Sequence, residues 1–595
     1  MPRRPPAPGR LRFPWSAATA AALTALLVSA PSLDAQSRDA GRHFDVLIRG
    51  GRVLDGSGNP WFKADVGVTG GRIAAVGLLP GATAERVIDA EGLYVTPGFI
   101  DIHSHADDGS ADIGEATIRT DSLKRKAMPN LVAQGITTAV VNQDGRSPWP
   151  IREQREILER QGLGANVMLM VGHGEVRGRV MGDDFRRPAT EEEVREMRAL
   201  VRQAMEEGAV GMSAGLEYTP GRWSTTDEVA ALAEEIVPWD GVYISHERSE
   251  GPDPMWYWPS QDDPGPPTLI DAVLETIEIG RRTGAKVVAS HIKAKGAHYW
   301  GTSHTVIQLI EAARAEGVRV WADQYPYPTS GSDGSTVLVP RWALRDPDAE
   351  NPREGRPPKE MLETRLEDAA LAADVRTDIA HEIRRRGGAD RVVVFEYPNE
   401  AYVGRSLADV ATERGVDPVE MAILLQLEGD PERPGGGRLR GFSMSEDDVE
   451  AYAARPWVAT ATDGGLAHPD DGRSVHPRYY GTFPRKIAHY ARDEEVLSVA
   501  NAVRSATSLP AHLMGLRDRG MVREGFVADL VVLDLERLDP KATFFDPHQY
   551  PEGIEHVLVA GESVVDGSEL TWKLPGRVLT GHRLTTTPVS DGSEG

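Results

Sequence analysis

The sequence predicts an α/β protein: an eight-stranded (β/α)8 barrel of the TIM type with a small flanking β-sandwich. Three observations predict this fold. Short apolar, β-branched runs alternate with charged amphipathic segments, the runs number eight, and glycine-rich β-patterns precede and follow them. A doubly wound sheet would alternate in the same way, but it gives no reason for the runs to stop at eight.

The eight runs place the barrel at residues 97–519. Segments between them, such as Glu191–Glu207 and Thr268–Arg282, have the charged and apolar spacing of surface helices. The predicted strands are Gly98–His103, Ile136–Gln143, Asn166–Gly172, Ala209–Ala214, Val242–Ser245, Lys286–Ser290, Arg319–Ala322 and Val458–Thr462.

The small β-sandwich is predicted from residues 36–96 together with 520–575. Phe44–Arg49 is a β-run, and Gly70-Gly71 is a hairpin signal between two further runs. Ala528–Leu533 and His556–Val559 return to the same pattern after the barrel. We therefore expect the two ends of the chain to share one small domain.

One connection is much longer than the usual loop. It lies between the seventh and eighth runs and gives an insertion at about residues 328–455, with helical segments such as Pro358–Arg386. An insertion of this length at the active face of a barrel is typically a lid or a specificity element. A purely structural role is the alternative.

Composition excludes several classes of function. The chain has 595 residues, 40% of them hydrophobic, and a net charge of −24, which argues against a nucleic-acid partner. It has no cysteine, so disulfides, thiolate metal sites and a cysteine nucleophile are excluded. Any metal must be held by His, Asp or Glu.

The N-terminus has the pattern of an export signal. Four arginines among the first twelve residues precede the apolar run Ser16–Ala30, which is too short for a convincing membrane span. We expect cleavage after Ala35, so residues 1–35 are a predicted signal peptide. The mature protein is then expected to be periplasmic or secreted and not membrane-bound.

Polar residues follow the predicted strands at their carboxyl ends, where barrel enzymes carry their active sites. His103 and His105 lie two residues apart and point the same way from an extended strand. With Asp144, His246 and His291 they form a nitrogen and oxygen ligand set that suits zinc, as one or two divalent ions. Asp144 is the natural bridge between two ions. Asp463, after the last strand, is the candidate general base and acid.

Several motifs resemble the amidohydrolase superfamily and, within it, the D-aminoacylase (N-acyl-D-amino-acid deacylase) family. The resemblance covers nearly the whole mature chain in order. The matching segments are Pro97–His105, Gly135–Thr138, Gly172–Arg177, Gly215–Tyr218, Ser245–Arg248, Ser290–Lys293, Tyr325–Tyr327, Thr462–Gly464, His476–Arg478, Gly481–Arg485 and Asp546–His556.

The resemblance implies roles for individual residues. His246 and His291 would be the tighter zinc ligands, His103 and His105 would serve a second site, and Asp463 would be the base and acid. Lys293 and Tyr327 are candidates to bind the substrate carboxylate, and His173 is a candidate to polarise the substrate or orient a ligand. The implied reaction is hydrolysis of a small N-acyl, and on resemblance alone D-, amino acid.

One position departs from the family. Related members carry a cysteine after the second strand as a shared metal ligand, where this chain has Asp144. The fourth run has no lysine, which argues against a cyclic amidase that needs a carboxylated lysine there. A dipeptidase or another amidase, and a non-catalytic metal-binding barrel, remain as alternatives. The sequence indicates no particular oligomeric state.

Overall fold

The computed structural model describes residues 41–107, 117–349, 355–472 and 474–581. The predicted signal peptide lies outside these ranges, so export stays a prediction. Within the described ranges, no helix is both long enough and apolar enough to cross a bilayer.

Eight parallel strands in chain order form the central barrel, and the predicted (β/α)8 fold is confirmed. The third strand is interrupted at Met170. The strands are Phe99–Asp101, Ile136–Val141, Asn166–Leu169 with Val171–Gly172, Gly211–Gly215, Val242–His246, Lys286–Ala289, Val320–Gln324 and Val458–Thr460.

The barrel closes between its last and first strands just beyond their carboxyl ends. Gly464–Gly465 pairs in parallel with Ser104–His105, and the Asp463 amide donates to the His103 carbonyl at 2.9 Å. The strands are buried along their whole length because both faces are covered. All six residues of Ile136–Val141, for example, are buried.

Helices surround the barrel, and some begin at side-chain caps. Thr190 and Thr268 each form a capping box with an acidic residue three positions on. The α-helices are Leu123–Lys126, Pro129–Val132, Ile151–Gln161, His173–Met181, Glu191–Glu206, Thr226–Ala233, Leu269–Thr283, Ser303–Ala315, Glu446–Ala453, Arg478–Arg485, Val499–Ala506 and Ser508–Leu513, with a π-helix at Lys486–Asp493.

The small domain is one nine-stranded mixed sheet built from both ends of the chain, as predicted. Its free edge at Arg72–Gly77 turns back onto the segment before Leu530, because the Ile73 amide donates to the Phe526 carbonyl at 2.8 Å. The sheet thereby curls around its own apolar core. Its strands are His43–Val53, Phe62–Thr69, Arg72–Gly77, Thr83–Asp89, Tyr94–Pro97, Leu530–Leu533, Ile554–Val559, Glu562–Asp566 and Glu569–Leu570.

The long connection after the seventh strand folds into a compact unit with its own apolar core, which includes Leu362, Val375, Ile379 and Leu407. Its first residues after the strand return to the carboxyl face of the barrel, where Ser330–Ser332 line the central cavity. The unit comprises the helices Arg341–Leu344, Pro358–Glu367, Ala369–Arg385, Leu407–Arg414 and Pro418–Glu428, and the antiparallel strands Val392–Glu396 and Arg438–Gly441.

Candidate metal centre

Six predicted site residues converge at the carboxyl ends of five barrel strands. We call this set the six-residue cluster: His103, His105, Asp144, His246, His291 and Asp463. All six side chains are largely or fully buried, and five of them line a cavity of about 370 Å³. The barrel therefore brings together residues that are up to 360 positions apart in the chain.

Asp144 is at the centre of the cluster. Its Oδ1 lies 3.5 Å from His103 Nε2 and 3.6 Å from both His246 Nδ1 and His291 Nε2. Its Oδ2 lies 3.5 Å from His105 Nε2. The two oxygens therefore face different histidines, which is the arrangement that a bridging carboxylate requires.

These distances fit a divalent metal. Nitrogen and oxygen ligands about 2.0–2.1 Å from a tetrahedral zinc ion lie about 3.3 Å from one another. The buried Asp144 Oδ1 finds no hydrogen-bond partner among the described residues, although three imidazole nitrogens surround it. A buried oxygen in this condition is costly unless something else satisfies it. The donor set, imidazole and carboxylate, suits zinc or a similar ion.

Carboxylates behind the ligands fix the orientation of the imidazoles. His246 Nε2 lies 3.1 Å from Glu217 Oε2, which leaves Nδ1 facing the cluster. His103 Nδ1 lies 2.6 Å from Ser290 Oγ, and that hydroxyl donates to Asp323 at 2.8 Å. Such partners set the tautomer of a metal-binding histidine and raise its basicity.

The electrostatics of the cluster favour a bound cation. Burial alone would raise the carboxylate pKa values, yet His246 holds the pKa of Asp144 well below its usual range, and Arg478 does the same for Asp463. Burial lowers the pKa of His246, but Asp144 outweighs it and raises the value to about 10. Ionised carboxylates here demand positive charge beside them. Burial holds the pKa of His103 well below its ordinary value, so that imidazole is neutral and available as a ligand.

The backbone is strained where three cluster residues leave their strands. Asp144, His291 and Asp463 have φ values of 56°, 36° and 47°, in the left-handed region that non-glycine residues rarely adopt. Outliers of this kind concentrate at functional sites, where the surrounding structure holds them in place.

Asp463, the predicted base, lies beside the imidazoles of the first strand. Its Oδ1 lies 3.1 Å from His105 Nε2 and 3.7 Å from His103 Nε2, and its Oδ2 accepts a hydrogen bond from Arg478 at 2.6 Å. The guanidinium keeps this carboxylate ionised and orients it toward the cavity.

The three predicted substrate-binding residues lie in different places. Lys293 lines the cavity, ion-paired with Glu250 and with Nζ 2.8 Å from His291 Nδ1. Tyr327 does not line it: the ring packs against His476, at 5.1 Å between centroids, and beneath the Arg485 guanidinium. The preceding Tyr325 faces the cavity instead.

His173 also lies away from the cavity. It is fully buried, its Nε2 is 3.0 Å from Glu228 Oε1, and Glu228 is also ion-paired with Arg177. This buried network joins the helices that begin at His173 and Thr226. The position supports packing of the barrel wall, not contact with a substrate in the cavity.

Four of the residues that sequence reasoning missed hold the predicted side chains in place or line the cavity. Glu217 holds His246, Glu250 holds Lys293 and lies 3.2 Å from His291 Nδ1, Arg478 holds Asp463, and Tyr325 lines the cavity. All four lie within the motifs that carry the family resemblance or within two residues of them. That proximity was the signal that could have identified them.

Comparison with known proteins identifies the class. Residues 86–236 and 365–565 match the model of the Amidohydrolase family. The chain is 33% identical to D-aminoacylase from Alcaligenes xylosoxydans xylosoxydans over 559 residues, 90% of this chain and 97% of that protein. It is 33% identical to N-acyl-D-glutamate deacylase from the same organism, over 90% of this chain and 96% of that one.

A solved structure supports the same class. The structure of N-acyl-D-glutamate deacylase from Bordetella bronchiseptica, complexed with zinc and a phosphonate mimic of the tetrahedral intermediate, superposes with a TM-score of 0.67 at 30% identity, covering 91% of this chain and all of that one. Fold and site define a metal-dependent hydrolase built on a barrel. The chain belongs to the amidohydrolase family, and its relatives there include D-aminoacylase and N-acyl-D-glutamate deacylase.

Proposed function

We propose that this protein hydrolyses the amide bond of N-acyl-D-amino acids, releasing a carboxylate and a free amino acid. The observation that carries the proposal is Asp144, a buried carboxylate surrounded by four imidazoles whose Oδ1 has no hydrogen-bond partner among the described residues, with Asp463 beside it. The preference for D-substrates is supported by the relatives, which are named for D-amino acids.

The six-residue cluster would hold one or two zinc ions. His246 and His291 supply one pair of nitrogens, whose Nδ1 and Nε2 are 2.8 Å apart, and His103 and His105 supply the other, with Nε2 atoms 3.4 Å apart. Asp144 faces both pairs. A divalent ion bound here supplies Lewis acidity, which activates water and polarises the amide carbonyl.

Asp463 moves the proton. Because Arg478 keeps the carboxylate ionised, Oδ1 is ready to take a proton from the attacking water. When the carbon–nitrogen bond breaks, the same oxygen returns that proton to the leaving amine. One residue therefore acts as base and then as acid, and the proton count balances over the cycle.

The substrate carboxylate has two partners on one side of the cavity. Lys293 stays charged because Glu250, at its side, raises the lysine pKa above its ordinary value despite burial. Burial raises the pKa of Tyr325, so its hydroxyl keeps its proton. That hydroxyl has no hydrogen-bond partner among the described residues. An ammonium and a phenol that face one cavity suit the α-carboxylate of an amino acid.

The test is an assay of paired N-acetyl-D- and N-acetyl-L-amino acids with zinc-reconstituted enzyme. We expect turnover of the D-forms and at least about tenfold slower turnover of the L-forms. Faster cleavage of dipeptides with a free amino terminus would favour a dipeptidase. Tight zinc binding without turnover of any acyl amino acid would contradict the proposal and favour a non-catalytic barrel.

A further inference from the structure

Arg146 is the one charged side chain lining the cavity that has no hydrogen bond or ion pair within the described residues. The other charged side chains there are paired with one another: His105 and Arg478 with Asp463, His246 and His291 with Asp144, and Lys293 with Glu250. Arg146 is also exposed, so its guanidinium is accessible to a ligand that enters the cavity.

The backbone around Arg146 is fixed. The Gly145 amide donates to Ser213 Oγ at 3.2 Å, and the Gly145 carbonyl accepts from the Glu175 amide at 3.0 Å. Ser147 Oγ accepts from the Gly172 amide at 3.1 Å. The loop is packed so closely on the third strand that a side chain at Gly172 would lie 2.6 Å from the Arg146 carbonyl carbon. The guanidinium therefore extends from a rigid support.

The position of this support in the barrel indicates which end of the substrate it meets. Arg146 follows the second strand and Lys293 follows the sixth, and these two strands lie opposite each other in a barrel of eight. Asp144 and the histidines lie between them. If Lys293 binds the carboxylate of the amino acid and the amide lies at the cluster, the acyl group points toward Arg146.

We propose that Arg146 binds an anionic group on the acyl moiety, so that the substrate is an N-acyl-D-amino acid whose acyl group is derived from a dicarboxylic acid. The inference rests on the proposed deacylase function. An unpaired guanidinium offers a fork of donors that matches a carboxylate. A simple acetyl group carries no carboxylate, so the guanidinium donors of Arg146 would stay hydrogen-bonded to water.

The experiment compares N-succinyl-D-leucine with N-acetyl-D-leucine on zinc-loaded wild type, Arg146→Met and Arg146→Glu. Wild type should favour the succinyl substrate about tenfold or more in kcat/KM, because a hydrogen-bonded ion pair contributes on that scale. That preference should vanish in Arg146→Met and invert in Arg146→Glu. Arg160→Met, an exposed arginine on the helix that follows the same loop, is the matched control and should keep the preference.

Binding of both ligands to Asp463→Asn protein, measured by calorimetry with and without Arg146→Met, tests the same preference without turnover. If wild type cleaves neither substrate, the deacylase proposal fails, and the binding ratio still decides the role of Arg146. Equal affinity for the two ligands would overturn that role. So would an Arg146→Met loss of affinity of equal size for both ligands, since that result would place the arginine at the amino-acid end that they share.

Discussion

Two buried charged networks in this protein, the insertion network and the six-residue cluster, differ in how completely their polar atoms are paired. The insertion network consists of Asp333, Arg386, Glu382, Arg385 and Asp253, and it joins the inserted unit to the loop after the fifth strand. Asp333 accepts hydrogen bonds from Arg386, Ser330 and Ser443, and Asp253 accepts from Arg385 at 2.7 Å. Every carboxylate in this network has a charged donor, so the network is closed.

The six-residue cluster is equally buried but open. Asp144 Oδ1 has no hydrogen-bond partner among the described residues, and imidazole nitrogens approach one another to 2.8 Å. A closed network stabilises the fold and needs nothing further, whereas an open one retains donor atoms for a ligand. The contrast separates residues that hold the structure from residues that perform chemistry, and it can be tested on both sides.

The largest loss of activity is expected from Asp463→Asn. The amide preserves shape but cannot take a proton, so kcat should fall by about 10³-fold while metal content is unchanged. Steady-state kinetics with elemental analysis checks this. Asp470→Asn, an exposed carboxylate in the same loop region, is the control. A loss of less than tenfold with metal intact would refute the assignment of Asp463 as the base.

Removing the central carboxylate should cost both metal and activity. We expect Asp144→Ala to lower zinc stoichiometry and to reduce kcat/KM at least about 100-fold, because two groups of histidines lose their shared oxygen. Asp144→Cys should retain metal with a shift toward softer ions. Unchanged stoichiometry and activity in Asp144→Ala would exclude a bridging role.

Glu217 acts through His246, so replacing Glu217 should reduce activity less than replacing Asp463 or Asp144. Glu217→Gln weakens the acceptor for His246 Nε2, so zinc affinity or activity should fall about 10–100-fold. Zinc affinity measured by competition with a chromogenic chelator gives the number. Glu278→Gln, an exposed glutamate on the helix after the fifth strand, should have no effect. An unaltered affinity would show that His246 is oriented by packing alone.

Breaking the closed network should affect stability and not metal content. Asp333→Asn removes a charge beside Arg386, which keeps Glu382 as a partner, so we expect a loss of about 3 kcal/mol, at the low end for a broken buried pair. Denaturant unfolding checks the free energy, and elemental analysis checks the metal. Loss of zinc in this variant would contradict the separation of the two networks.

The Asp333 carboxylate also predicts that the stability of the protein depends on pH. Burial alone would raise the pKa of Asp333, but Lys295 and Arg386 outweigh it and lower the value to about 2. A depressed pKa means that the stabilisation is complete above about pH 4 and is lost as pH falls through 2, by about 2 kcal/mol. The stability difference between wild type and Asp333→Asn should shrink by that amount between pH 4 and 2. A constant difference would place the pKa near its ordinary value.

The fold was largely predictable because strands that are buried on both faces stand out in the sequence as short apolar runs. Every predicted barrel run overlaps a strand, and the last run, Val458–Thr462, ends one residue before Asp463. The six-residue cluster was predictable for the same reason, since a residue just past a buried parallel strand can only lie at the carboxyl face.

Predictions were poorer beyond the strand ends, where alternation stops. Tyr325 and Tyr327 have the same spacing as His103 and His105, yet only Tyr325 lines the cavity, because the chain turns there with the Tyr327 amide donating to the Tyr325 carbonyl. His173 follows its strand directly but enters a helix, which directs the imidazole into the barrel wall.

Metal removal tests the role of the open cluster most directly. We expect protein stripped with a chelator to keep its circular dichroism spectrum, to lose more than about 99% of its activity, and to recover it as zinc is added to one or two ions per chain. Asp144→Ala protein should not recover. Full activity in the stripped wild type, or recovery of Asp144→Ala to wild-type levels, would contradict a metal-dependent reaction at this cluster.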